Sequence, residues 1–256
     1  MKKLITSLAI LFLSAKLFAC SCAFPTFNDN FARAAFVGLV KVNNVHADPQ
    51  NSDVDVLDIT IVDLFKGKPV KEIRASGKNT SCDIGIQKNT VWLVFATENN
   101  KGELVFGYCS APEQYEGRVY DEARYPGITK KIAEERKFVL KILTGLRDKK
   151  ITLTNTDAGV FSFYEHLRSI KNVDVKEKQF AVYQLKVNKE RVITSVKPLL
   201  PFVNAQISAQ VLKKLKGAAL RKPRNKAFPA EETMNICLFA FPAEQSYPGF
   251  IGPNLP

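Results

Sequence analysis

The sequence predicts two domains of different class: an all-β, five-stranded closed barrel with flanking helices, then an α+β two-layer domain in which helices cover an antiparallel sheet. Three observations carry this. Between Phe36 and Cys109 short apolar runs alternate with turn residues, as in a small barrel. From Gly159 to Phe241 the patterns follow in the order helix, strand, strand, helix, strand. The charge also steps between the halves: residues 20–148 hold 17 Lys and Arg against 17 Asp and Glu, whereas residues 149–256 hold 17 against 8. With 46% apolar and 10% aromatic residues, the chain has ample material for buried cores.

Residues 1–19 read as an export signal. Lys2 and Lys3 precede a short apolar run from Leu4 to Leu13, and Leu17-Phe18-Ala19 ends on the small residue that a signal peptidase requires. The run is too short to span a bilayer, so the mature chain is expected to have no transmembrane helix. It should begin at Cys20-Ser21-Cys22 and work outside the cytoplasm, in the periplasm, at the outer membrane or secreted.

In an oxidising compartment paired thiols become disulfides. Two cysteines one residue apart must each reach a distant partner, and Cys82 and Cys109 are available. Leu17-Phe18-Ala19-Cys20 also resembles a bacterial lipobox, in which the Cys20 thiol would be lipidated. That reading excludes a Cys20 disulfide and would leave Cys82 free or paired elsewhere. The two histidines, His46 and His166, lie far apart and away from any Cys-x-x-Cys pair, so no metal ligand and no cofactor is assigned.

The elements of the first domain follow in order. Asn28 to Ala35 reads as a short helix, and Phe36 opens the first strand. Asp53 to Phe65 alternates with a change of phase between Val56 and Leu57, which predicts a bulge there. Lys66-Gly67-Lys68-Pro69 is a turn. Lys71 to Ser76, Thr90 to Thr97 and Glu103 to Cys109 are three further strands, the last two joined by the turn Asn99-Asn100-Lys101-Gly102. Lys130 to Leu146 is an amphipathic helix with Ile132, Val139, Ile142, Leu143 and Leu146 on one face, and with Gly145 near its closing end. It is expected to plug or flank the barrel.

These residues carry a resemblance. Cys20-Ser21-Cys22 at a processed N-terminus, Ala35-Phe36-Val37-Gly38, Leu64-Phe65-Lys66-Gly67, Ser81-Cys82 and Tyr108-Cys109-Ser110 together resemble the N-terminal domain of tissue inhibitors of metalloproteinases and, more broadly, the netrin-like module. The resemblance covers about 125 residues and implies an OB-type barrel. It agrees with a pairing of Cys20 with Cys82 and Cys22 with Cys109, loops whose closure removes about 4 kcal/mol each of unfolded-state freedom. It further implies a target-binding ridge of Cys20, Ser21 and Cys22, in which the α-amine and carbonyl of Cys20 chelate a protease's zinc and Ser21 enters the specificity pocket. Here Phe24 stands before Pro25, one residue more than in the family's usual spacing, so a differently shaped ridge is expected.

The stretch from Lys149 to Asp157 is polar and Thr-rich and is expected to form the boundary. Beyond it, Val160, Phe163, Tyr164, Leu167 and Ile170 fall at helical spacing. Ala181, Tyr183, Leu185 and Val187 share one face of a strand that turns through Asn188-Lys189-Glu190 into Arg191–Lys197. Asn204 to Lys216 is a helix burying Ile207, Val211 and Leu215. Thr233 to Phe241 is so apolar that a central or well-covered strand is expected, with Cys237 an inert buried thiol. Residues 242–256, with four of the 13 prolines, read as an extended tail.

Gln179-Phe180-Ala181-Val182-Tyr183-Gln184-Leu185, Arg191-Val192-Ile193-Thr194, Val211-Leu212-Lys213-Lys214-Leu215, Pro223 and Met234-Asn235-Ile236-Cys237-Leu238-Phe239 resemble the C-terminal domain of TonB-like energy transducers. This implies a partner-binding fold with an open strand edge. Its basic stretch, Lys213, Lys214, Lys216, Arg221, Lys222, Arg224 and Lys226, would suit an anionic envelope partner. No aromatic residue interleaves these charges, as a nucleic-acid platform would require. No Ser-His-Asp set or carboxylate pair stands out, and no enzyme is read. The expected function is binding, either as a metalloprotease inhibitor acting through Cys20 or as a cell-envelope adaptor, with or without a lipid, that engages an envelope protein or anionic glycolipid.

Overall fold

A computed structural model describes residues 20–154, 161–170, 173–220, 231–244 and 247–255. Helix α1 (Phe27–Arg33) starts at Thr26, whose Oγ1 accepts from the Asp29 amide at 3.2 Å. The barrel strands are β1 (Phe36–Asp48), β2 (Asn51–Lys66), β3 (Glu72–Ser76), β4 (Val91–Glu98) and β5 (Leu104–Gly107). They join in the order β1-β2-β3-β5-β4, and β4 returns to β1, closing a five-stranded barrel in which only β3 and β5 run parallel. Closure removes the sheet's free edges. Its interior is filled by Phe36, Val40, Val42, Leu57, Ile59, Ile73, Trp92, Val94 and Phe106. A short strand, β6 (Glu113–Glu116), which the sequence did not suggest, pairs outside with β4.

The expected bulge is displaced. Around Val56 and Leu57 the β1–β2 register is regular, and the change of phase arises because both residues are buried on opposite faces of the strand. The register instead slips between Val37 and Gly38, between Leu39 and Val40, and between Val42 and Asn44. These slips bend the long hairpin around the barrel.

Helix α2 (Ile128–Asp148) flanks the barrel and does not plug it. Phe138, Ile142, Leu143 and Leu146 share one core with Val37, Phe65, Leu93 and Phe95 of the barrel's outer face and with Val182, Cys237 and Phe239 of a second sheet. Gly145 does not close the helix, which runs on to Asp148. It permits close packing, since a Cβ there would lie 2.8 Å from Phe180 Cζ.

The second sheet contains β7 (Gln179–Asn188), β8 (Ile193–Leu200), β9 (Glu231–Phe241) and β10 (Phe250–Gly252), in the antiparallel order β10-β9-β7-β8. Strand β9 is central, as its composition requires. One of its faces meets the shared core through Cys237 and Phe239; the other meets Ala181, Tyr183, Leu185 and Val187 of β7 beneath α3 (Phe161–Leu167) and α4 (Ala205–Leu215). Asn204 caps α4 by accepting from the Gln206 and Ile207 amides.

The expectation of an extended tail is corrected. The presumed tail folds back: Phe250 pairs with Phe241, their rings stack at 4.7 Å, and Ile251, Gly252 and Pro253 are buried. Its apolar residues outweigh its prolines. The start of the presumed boundary is also packed, because Leu153 is buried and Thr154 and Asn235 exchange hydrogen bonds at 3.0 Å. Gly159, Val160 and Pro223 lie outside the described residues, as does the export signal. Among the described residues no helix is long and apolar enough to cross a membrane.

Candidate functional site

The cysteine ridge is built from three separate pieces of chain. Cys20 is bonded to Cys82, in the β3–β4 loop, with Cα atoms 5.3 Å apart; Cys22 is bonded to Cys109, in the turn after β5, with Cα atoms 5.4 Å apart. Ser21 lies exposed between the two straps. Each anchoring loop is itself held locally. Thr80 Oγ1 donates to the Gly77 carbonyl at 2.6 Å and accepts from the Cys82 amide at 3.0 Å. Gly77, at φ +102°, lies so close beneath the loop that a Cβ would meet the Cys82 carbonyl oxygen at 2.8 Å. On the other side, residues 108–110 form one 3₁₀ turn, closed by Ser110 Oγ donating to the Gly107 carbonyl at 2.8 Å. Asn30 Nδ2 donates to the Ser110 carbonyl at 2.8 Å and so ties this turn to α1.

Beside the ridge, Phe24 meets Tyr108 edge to face with ring centroids 5.3 Å apart, and both remain largely exposed, at 54% and 41%. Phe24, next to Pro25, therefore gives the ridge an aromatic flank. Sequence reasoning noted Phe24 as a spacing difference and Tyr108 as part of the Tyr108-Cys109-Ser110 motif, and missed that the two rings meet. Their only sequence signal is that each adjoins a bridged cysteine by one or two positions.

Chemically the ridge offers an exposed Ser21 held between two disulfides and an exposed aromatic flank. The sulfurs of Cys20 and Cys22 approach to 3.9 Å and, with that of Cys109, form a tight group. All three are in disulfides, so they present no thiolate to a metal. The Cys20 sulfur that lipidation would use is the one bonded to Cys82. Cys237 is free and wholly buried, and burial pushes its thiol pKa well above the ordinary value.

The second group of predicted residues lies elsewhere. Lys213, Lys214 and Lys216 are exposed at the C-terminal end of α4, where the helix dipole favours cations. Arg221, Lys222, Arg224 and Lys226 lie outside the described residues. A half-open cleft of about 680 Å³ runs beside the ridge between α1, β4 and α2, with Phe24, Pro25, Leu93, Phe95 and Phe138 among its walls. Over one side of it Arg136 pins the segment around β6: it pairs with Glu113 at 2.8 Å, donates to the Gln114 and Tyr115 carbonyls, and stacks on the Tyr115 and Tyr120 rings. Desolvation there raises the Tyr115 pKa.

No protein-family model matches this chain, and no curated protein is a significant match to it.

Proposed function

We propose that this is an exported, non-catalytic binding protein with an OB-type, netrin-like barrel, whose processed N-terminus blocks a zinc endopeptidase. The observation that carries the reading is the double strap. Two disulfides to two different loops hold Cys20-Ser21-Cys22 with Ser21 exposed between them. An edge fixed in this way loses little conformational entropy on docking. Cleavage after Ala19 frees the Cys20 α-amine, whose ordinary pKa of about 7.7–8.0 leaves a neutral, zinc-competent fraction at physiological pH. The amine and carbonyl of Cys20 then take positions on the protease's zinc, Ser21 enters its specificity pocket, and Phe24 with Tyr108 supports the flank.

A second reading rests on Lys213, Lys214 and Lys216, which have no ion-pair partner among the described residues. On that reading the basic C-terminal half, TonB-C-like in pattern, docks an envelope protein or anionic glycolipid.

One experiment separates them. The native chain is mapped without reduction and its N-terminus sequenced; then one alanine is added before Cys20. Inhibition of zinc endopeptidases that is lost on extension, with both disulfides intact, supports the first reading. Acylated Cys20, or equal inhibition by the extended form, sinks it. Salt-sensitive binding to anionic vesicles that survives the extension and falls on Lys213→Glu with Lys214→Glu supports the second.

A further inference from the structure

On the outer face of β1, β2 and β3, far from the cysteines in sequence, the register assembles a group that no sequence spacing announces. Asp58 and Glu72 are direct cross-strand partners, and His46 lies one diagonal step away, opposite Val56. One ligand atom from each of His46, Asp58 and Glu72 comes within 4.8 Å of the others, and His46 Nδ1 is 4.0 Å from Asp58 Oδ2. Two carboxylates facing each other across a strand pair repel.

The local charge is incompletely balanced. Arg74 bridges Asp48 at 3.3 Å, Glu72 Oε1 at 2.6 Å and Glu103 at 3.0 Å. One guanidinium thus serves three carboxylates, and Asp58 brings a fourth whose only described ion-pair contact is His46. Arg74 occupies Oε1 of Glu72 and leaves its second oxygen.

We propose that His46, Asp58 and Glu72 form a surface site for a divalent transition-metal ion of the Zn²⁺ class. One imidazole nitrogen and two carboxylate oxygens on rigid neighbouring strands are a donor set that suits such an ion. Three protein ligands leave at least one position for solvent or for a donor from a partner. The bound ion neutralises Asp58 and Glu72 and removes the cross-strand repulsion, while Arg74 orients Glu72 from outside the coordination shell.

The test is calorimetric titration of the full processed protein with ZnCl₂, alongside His46→Ala, Asp58→Asn and Glu72→Gln. The expected result is one saturable site, weakened in each variant by more than about tenfold, the smallest loss that removing even an outer partner of a metal ligand gives. The Ala-extended protein should bind as the parent does, which separates this site from the Cys20 amine. The NMR signals of the His46 ring should shift at one equivalent. If His46→Ala does not fold, the other two variants and the ring signals decide. Absence of saturable binding, binding that survives all three substitutions, or unshifted His46 signals overturns the proposal.

Discussion

Asn28 and Cys237, 209 residues apart, are joined as two strand neighbours would be: the Cys237 amide donates to Asn28 Oδ1 at 2.6 Å, and Asn28 Nδ2 donates to the Cys237 carbonyl at 3.0 Å. The same Nδ2 donates to the Pro253 carbonyl at 3.0 Å. One buried side chain of the first helix therefore fastens the central strand of the second sheet and the folded-back C-terminal segment. The two halves differ in charge and architecture but share this seam and the core around it.

Asn28→Ala should consequently cost about 3 kcal/mol, because it leaves buried backbone groups of Cys237 and Pro253 without partners in a place closed to water. Urea unfolding should show a lower midpoint. A change under about 1 kcal/mol would mean that the seam is not closed in solution.

Gly145→Ala should destabilise the protein by about 1–3 kcal/mol, although alanine is the better helix former. The added Cβ would sit 2.8 Å from Phe180 Cζ, at the contact between α2 and the second sheet. Phe180→Leu should restore part of the loss in thermal unfolding. A stabilised Gly145→Ala protein would show that propensity outweighs the contact.

Gly145 also marks what could be read before the structure. Local signals were legible: the alternation of Ala181, Tyr183, Leu185 and Val187, the helical spacing of Ile207, Val211 and Leu215, the Asn99–Gly102 turn and the apolar run of β9 each match an observed element. Gly145 misled, because a glycine near a helix end looks the same whether it closes the helix or admits a neighbouring ring. The two cysteine pairings were the long-range relations that could be read in advance, and both are present; other relations across the sequence were not legible. Nothing local ties Asn28 to Cys237, pairs Phe24 with Tyr108, or gathers His46, Asp58 and Glu72 across three strands. The tail misled for a related reason. Its prolines argue against regular structure, but the exposed apolar edge of β9 that recruits Phe250 to Gly252 exists only once the sheet has formed.

Cys237 supplies the last prediction. Its thiol is wholly buried, and desolvation holds its pKa well above the ordinary value, so the folded protein keeps it protonated at pH values where the unfolded chain ionises it. Ionisation of the unfolded chain favours unfolding. The stability that Cys237 contributes is therefore fully present below an unfolded pKa of about 8.5, and above it the contribution falls by up to about 1.4 kcal/mol per pH unit until the folded pKa is reached. Cys237→Ala removes this term. At pH 7 the variant should be the less stable protein, by about 1–2 kcal/mol for the lost sulfur in a closed core. By pH 10 that gap should shrink or reverse. Comparing the two proteins at each pH cancels the tyrosines and lysines that titrate in the same range. Alkylation gives an independent reading: without reductant, Cys237 should resist iodoacetamide in the folded protein and react fully in urea, while the four bridged cysteines stay unmodified in both. A stability gap that stays constant from pH 7 to pH 10, or rapid alkylation of the folded protein, would show that Cys237 meets solvent and that the core between the two sheets opens.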